Sequence, residues 1–162
     1  MDCADIVRRC EKELQSRYCA DPEGMLNRAK EAYSRYERLC TQYGMWNHLI
    51  DDHAHYIPTA DQRRRSEELL GRIASLVPEA QERRKLVEAA RDTAVAYLDT
   101  CPGKTAYKTD MTRELSDKLE VNPAEAGKLI RTLYNIDVLR ESKNEAGRII
   151  VRKARKRKQG IE

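Results

Sequence analysis

The sequence contains no phenylalanine, and aromatic residues make up only 6% of its 162 positions. It also lacks any run of about 18 apolar residues, the length needed to cross a membrane, and its first residues do not form a secretory signal. The core must therefore be built mainly from Leu, Ile, Val, Ala and Tyr, which favours helices over sheets. We expect a soluble, intracellular protein with one core or two small ones.

The five cysteines include no C-x-x-C pair. An odd number of cysteines without that spacing indicates neither a disulfide framework nor a zinc ribbon, so we expect reduced thiols. Cys3 and Cys10 are seven residues apart and in phase with Val7 and Leu14, which predicts that they share one helical face. We interpret these two thiols as small apolar groups in a core.

Motifs for catalysis are also absent, since there is no glycine-rich phosphate loop and no nucleophile elbow. All three histidines lie in one short segment, where His48, Asp52 and His55 recur at i, i+4 and i+7. This spacing can place two imidazoles and a carboxylate around one metal ion, but a helical metal site usually also needs ligands from a facing helix. We predict a solvated helix face, no enzyme activity and no cofactor; the alternative is a metal-dependent helical enzyme.

The net charge of +4 is unevenly distributed along the chain. Residues 1–100 hold 16 lysines and arginines against 18 acidic residues, whereas residues 101–162 hold 15 against 9. The surplus of positive charge therefore belongs to the C-terminal part, which favours a polyanion as its partner.

Residues 1–85 are predicted to be almost entirely helical. A first helix should cover Asp2 to about Tyr18, and Asp21-Pro22-Glu23 should begin a second one. The second helix should reach about Tyr56, because apolar residues recur along it in alternating steps of four and three. We expect this heptad seam to pack against an antiparallel helix or to join two copies of the chain. Its positions are Met25, Ala29, Ala32, Tyr36, Leu39, Tyr43, Trp46, Ile50 and His53.

Two further helices should follow the seam. Pro58 should end the second helix, and Thr59 or Asp61 should cap a third one, which Pro78 ends or kinks. A fourth helix should run from about Glu79 to Leu98, because the Cys101-Pro102-Gly103 break closes it.

The residues after this break predict two short helices. Ala106-Tyr107 can form a short strand, and Thr109 should cap a helix with apolar residues at every fourth position. Asn122 should cap the next helix, with Pro123 at its first position. Two short helices joined by a tight turn form a helix-turn-helix unit. The buried stripe of the second helix should consist of Ala126, Leu129, Ile130 and Leu133.

A β-hairpin is predicted next. Val138-Leu139-Arg140 indicates one strand, and Arg148–Arg152, which is rich in β-branched residues, indicates the other. The turn between them should lie at Lys143–Gly147.

These segments together resemble the winged helix-turn-helix superfamily. The resemblance is carried by Ala94–Tyr107, by Met111–Leu133 and by the hairpin sequences D-V-L-R-E-S and G-R-I-I-V-R-K, about 70 residues in all. It implies a helix, a short strand, two helices and a hairpin wing, with the second helix of the pair entering the major groove of DNA. We therefore expect a mainly α protein. Residues 1–85, in which no family is recognised, should form an antiparallel or coiled-coil-like helical region, and residues 86–158 a winged helix-turn-helix with a small β-hairpin wing and a basic tail.

Candidate nucleic-acid contacts lie on the second helix of the pair, on the wing and in the tail. The positions of that helix that do not belong to the buried stripe should face outward. They include the carboxylate of Glu125 and four hydrogen-bond donors. The segment Arg148–Lys158 contains seven basic residues and no acidic one, which is typical of a polyanion-binding segment. The candidate contacts are Lys128, Arg131, Thr132, Asn135, Arg148, Arg152, Lys153, Arg155, Lys156, Arg157 and Lys158.

These features predict a nucleic-acid-binding protein, with double-stranded DNA favoured over RNA, that acts as a transcriptional regulator. Because two recognition helices about 34 Å apart can read a palindromic site, we expect a homodimer. The alternative is a structural subunit of a larger assembly, in which the winged helix and the long helices contact other proteins. A DNA-binding protein should be found with the nucleoid in the cytoplasm or, in a eukaryotic host, in the nucleus.

Overall fold

The computed structural model describes residues 3–47 and 60–154. These residues form a mainly helical protein with a small three-stranded antiparallel sheet. The chain divides into two compact units between Arg84 and Lys85, a boundary that falls inside one helix. No helix of the described ranges is long and apolar enough to span a membrane.

The N-terminal unit begins with helices α1 (Cys3–Gln15) and α2 (Pro22–Asn47). Helix α1 ends before the predicted Tyr18. The hydroxyl of Ser16 lies 2.6 Å from the carbonyl oxygen of Glu13 and 2.8 Å from that of Tyr18, so its one hydrogen can bond to either, which competes with continuation of the helix. The predicted start of α2 is confirmed, since a carboxylate oxygen of Asp21 accepts a hydrogen bond from the N–H of Gly24 at 3.0 Å.

The third helix, α3 (Ala60–Thr100), runs through Pro78, so the prediction of two separate helices was wrong. A proline inside a helix removes one backbone hydrogen bond and costs about 3 kcal/mol relative to alanine. In α3 the buried side chains stay in helical phase before and after the proline, and their packing offsets this cost. They are Ile73, Val77 and Ala80 in the N-terminal unit, and Val87, Ala90, Ala94 and Leu98 in the C-terminal unit.

The core of the N-terminal unit is closed by all three helices. Cys10 is buried in it, as predicted, and burial raises the pKa of its thiol, which favours the neutral form. The first seam residues, Met25, Ala29 and Ala32, pack against this core within the chain. Pairing of two copies through the seam therefore stays a prediction for the part beyond Tyr36, most of whose side chains lie outside the described residues. The core contains Val7, Cys10, Leu14, Cys19, Ala29, Ile73, Val77 and Ala80.

The C-terminal unit joins the last part of α3 to two short helices and a sheet. Its elements are a 3-10 turn (Pro102–Lys104), β1 (Thr105–Tyr107), α4 (Lys108–Leu119), α5 (Pro123–Asn135), β2 (Leu139–Lys143) and β3 (Ile149–Lys153). The strands lie in the order β1-β3-β2, and both pairs are antiparallel. The predicted short strand and hairpin strands are confirmed. Strand β2 begins one residue later than predicted and extends three residues beyond Arg140, to Lys143, which is the first residue predicted for the turn.

Helix α4 begins at Lys108, so the prediction that Thr109 caps it was wrong. Strand β1 passes directly into α4, and Tyr107 occupies the cap position without a side-chain hydrogen bond. Thr109 therefore lies inside the first helical turn. At the other end, Glu120 adopts a left-handed conformation with a φ of 54°, which turns the chain toward α5.

The start of α5 is confirmed as predicted. The side-chain oxygen of Asn122 accepts a hydrogen bond from the N–H of Glu125 at 2.8 Å, and Pro123 is the first helical residue. The predicted stripe is buried against α4 and the sheet. The core that holds α5 in place contains Leu98, Met111, Leu115, Ile130, Leu133, Leu139 and Val151.

Candidate nucleic-acid interface

The outward face of α5 carries three of the predicted contacts. Lys128, Arg131 and Asn135 are exposed, and their spacing of three and four residues places them on one side of the helix. The buried stripe on the opposite side fixes which way they point. All three are hydrogen-bond donors, which suits phosphate oxygens and base edges.

Thr132 does not belong to this face, so the prediction that it is exposed was wrong. Only 5% of the residue is exposed. Its hydroxyl donates to the carbonyl oxygen of Lys128 at 3.0 Å, one turn back along the helix. Because this bond satisfies the hydroxyl, the β-branched side chain can pack in the core like an apolar residue.

The two cations of this face differ in their surroundings. The ammonium of Lys128 lies 3.3 Å from a carboxylate oxygen of Glu125 in an exposed ion pair. Such a pair contributes little to stability, and a phosphate can replace the carboxylate. Arg131 makes no ion pair with any described residue, so it is the cation of α5 that is open to a ligand.

The hairpin of β2 and β3 carries a second set of predicted contacts. Asn144 and Gly147 form its turn, in which Gly147 has a φ of 75° and the side chain of Asn144 accepts from the N–H of Arg148 at 2.8 Å. Alternation along β3 points Val151 into the core and Arg152 outward. Arg148 is also exposed, and its guanidinium carbon lies 5.8 Å from the centroid of the Tyr107 ring.

Lys153 is engaged within the chain. Its ammonium lies 2.7 Å from both carboxylate oxygens of Asp99, at the end of α3. This hydrogen bond is the main cause that lowers the pKa of Asp99, and Lys104 at 3.6 Å adds to the effect. A ligand can therefore reach the charge of Lys153 only in competition with Asp99.

The remaining predicted contacts lie outside the described residues. These are the tail residues Arg155, Lys156, Arg157 and Lys158. The histidine cluster of His48, Asp52 and His55 also lies outside them. Among the residues that the structure does describe, no group of three or more histidine, cysteine or acidic side chains is arranged to hold a metal ion.

A cluster that the sequence did not indicate links α4, α5 and β2. The ammonium of Lys108 lies 3.4 Å from a carboxylate oxygen of Glu141 and 5.7 Å from the centroid of the Tyr134 ring. The hydroxyl of Tyr134 is buried without a hydrogen bond to the described residues. Its burial, together with the nearby charge of Glu141, raises the pKa of Tyr134 to about 12. The cluster connects the first turn of α4 with β2 and with the C-terminal part of α5.

Comparisons of the chain with protein-family models, with curated proteins and with solved structures found no match. The candidate interface therefore rests on its own geometry and charge.

Proposed function

We propose that the C-terminal unit is a winged-helix domain that binds double-stranded DNA. The order of its elements supports this proposal: the end of α3, then β1, α4 and α5, and then the β2–β3 hairpin. In this interpretation α5 is the recognition helix and the hairpin is the wing.

The observation that carries the proposal is the outward face of α5. A helix held by a fully buried stripe presents Lys128, Arg131 and Asn135 on one side. Arginine and lysine donate to phosphates and to the acceptors of guanine, and asparagine pairs with adenine. Arg148 and Arg152 add basic side chains on the wing, and the basic tail follows β3 in sequence.

We further propose that the protein acts as a dimeric regulator at the nucleoid or in a nucleus. Dimerisation would place two copies of α5 on successive turns of the duplex, about 34 Å apart. The part of α2 beyond Tyr36 is the segment we propose for this contact, since the earlier seam residues pack within the chain.

A structural subunit is the second candidate function. It is favoured by two ion pairs, Lys128 with Glu125 and Lys153 with Asp99, which reduce the positive charge available to DNA. In that case the same surface would contact a protein.

The test is binding of the full chain to a fluorescent duplex of random sequence over a range of salt concentrations. A plot of log affinity against log salt concentration should have a slope of about −0.9 for each phosphate contact. Replacing Arg131→Gln should weaken binding and leave folding intact. The matched control is Arg113→Gln, which removes the same charge from an exposed position on α4.

A second variant tests the tail. The N–H of Ala154 donates to the carbonyl oxygen of Val138 at 2.9 Å, so the deletion should begin at Arg155 to keep this bond. Three lost phosphate contacts would make the salt slope shallower by about 2.7. Absence of any salt-sensitive DNA binding in the intact chain would exclude the DNA proposal and favour the structural subunit.

A further inference from the structure

The sheet of the C-terminal unit has a second face that points away from the helices. Ala106, Leu139 and Val151 are buried and define the inner face. Side chains alternate along each strand, so their neighbours define the opposite, outer face. Every residue of the outer face is exposed or half-buried. They are Thr105, Tyr107, Arg140, Ser142, Ile150 and Arg152.

The outer face carries positive charge and no carboxylate. Arg152 lies directly opposite Arg140 on the neighbouring strand, and Arg148 continues the same alternation two residues before Ile150. Arg152 makes no ion pair with the described residues, and the contact of Arg140 with Asp137 is long, at 3.9 Å. On α5, by comparison, Lys128 is paired and only Arg131 is open. The outer face therefore offers more unpaired positive charge than the outward face of α5.

An aromatic side chain and an open groove lie at one end of this face. Tyr107 is 39% exposed, and the guanidinium carbon of Arg148 lies 5.8 Å from the centroid of its ring. Ile149, also 39% exposed, alternates with Arg148 and Ile150, so it borders the groove from the side of β3 that carries Val151. Together with the first turn of α4, which contributes the carboxylate of Asp110, these residues line a groove of about 740 Å³. This volume lies in the range of small-ligand sites, roughly 300–1,000 Å³.

We propose that the outer face binds single-stranded nucleic acid. Arg140, Arg148 and Arg152 hold successive phosphates, and an unpaired base stacks on the Tyr107–Arg148 pair at the groove. The ligand is a single strand, because only an unpaired base presents its flat face to an aromatic ring and a guanidinium. This site goes beyond the proposed duplex contact, because it shares Arg148 and Arg152 with the wing but adds Tyr107 and Arg140 and does not use α5.

The test compares the affinity of the full chain for a fluorescent thymidine oligonucleotide with its affinity for a random duplex. Tyr107→Leu keeps an apolar side chain without a ring and should weaken single-strand binding at least about fivefold. Tyr107→Phe keeps the ring and should restore it. Arg152→Gln should make the single-strand salt slope shallower by about 0.7. Duplex affinity should change less than twofold in both Tyr107 variants.

Two controls make the outcome decisive. Arg113→Gln removes one positive charge away from the sheet, so a loss in Arg152→Gln no larger than in this control would overturn the proposal. Circular dichroism of each variant checks folding, and Arg152→Gln provides the test if Tyr107→Leu unfolds. Duplex binding that depends on Arg131, with no single-strand binding, would leave the duplex proposal intact and overturn the outer-face site. Single-strand binding that depends on Tyr107, with no duplex binding, would support the outer-face site and overturn the duplex proposal.

Discussion

The ammonium of Lys153 lies 2.7 Å from both carboxylate oxygens of Asp99, which joins the end of β3 to the last turn of α3. The two residues are 54 positions apart in sequence. This pair sets the charge available at the base of the β2–β3 hairpin. Because Asp99 neutralises Lys153, a polyanion that approaches the hairpin meets fewer free cations than the sequence suggests.

Removing this carboxylate should therefore strengthen binding. In Asp99→Asn the charge of Lys153 becomes available to phosphate, and duplex affinity should rise with a salt slope steeper by up to about 0.9. Fluorescence anisotropy in a salt series measures both quantities. The matched control is Asp92→Asn, which removes the same charge from an exposed residue of α3 that is paired with Arg91. Equal effects of the two substitutions would show that Lys153 does not contact the ligand.

Truncation of a core residue of α5 should lower stability, whereas truncation of a surface residue should weaken DNA binding. Leu133 is fully buried, and Leu133→Ala should lower the free energy of unfolding by about 2–5 kcal/mol. Arg131 is exposed, and Arg131→Ala should change that free energy by less than about 0.5 kcal/mol while it weakens DNA binding. Urea unfolding followed by circular dichroism tests both. A large loss of stability in Arg131→Ala would contradict the orientation of α5 described above.

The sequence predicted those elements for which several local signals agree. The Asn122 cap, Pro123 and an in-phase apolar stripe all indicate α5, and the structure confirms each of them. Thr132 was misplaced because the stripe was defined by apolar residues alone, and a threonine that bonds to its own helix satisfies the same requirement. The prediction that the helix ends or kinks at Pro78 relied on one strong local signal. Packing along the whole of α3 outweighs that signal, and the helix continues.

Other features carry no local signal. Glu120 and Asp137 adopt left-handed conformations, with φ values of 54° and 57°, at positions where no glycine marks the turn. The Lys153–Asp99 pair and the cluster around Tyr134 depend on residues that only the fold brings together. The charge of the outer face likewise became apparent only from the register of the strands, which places Arg140 opposite Arg152.

The buried hydroxyl of Tyr134 should reduce stability. It makes no hydrogen bond with the described residues, so Tyr134→Phe should raise the free energy of unfolding by about 1 kcal/mol. The pKa of this phenol is about 12 in the folded chain, above its ordinary value of 10.0, so the neutral form is favoured by folding. The preference of the folded chain for the neutral phenol has its full effect on the free energy of unfolding below pH 10.0. Above pH 10.0 the unfolded chain loses its proton first, so the free energy of unfolding falls as the pH rises toward 12.

The advantage of Tyr134→Phe over the native chain should therefore grow between those two pH values. Urea unfolding at several pH values measures it. Tyr107→Phe is the control, because its hydroxyl is on an exposed side chain and its removal should change stability by less than about 0.5 kcal/mol. A loss of stability in Tyr134→Phe at neutral pH would mean that the hydroxyl has a bonding partner.

Two glycines inside helices should separate helix stability from DNA contact. Gly127 lies in α5 and Gly71 in α3, and a Cβ atom added at either would meet nothing within 4 Å. Alanine is favoured over glycine in a helix by about 0.5–1 kcal/mol, so Gly127→Ala and Gly71→Ala should both raise the free energy of unfolding by that amount.

Gly127, however, flanks the outward face of α5, one turn before Arg131. If this helix enters the major groove, the added methyl group should hold the backbone away from the duplex and lower affinity severalfold, whereas Gly71→Ala should leave affinity unchanged. Urea unfolding and duplex titrations of the two variants measure the two effects, and equal affinities would mean that this side of α5 does not approach DNA.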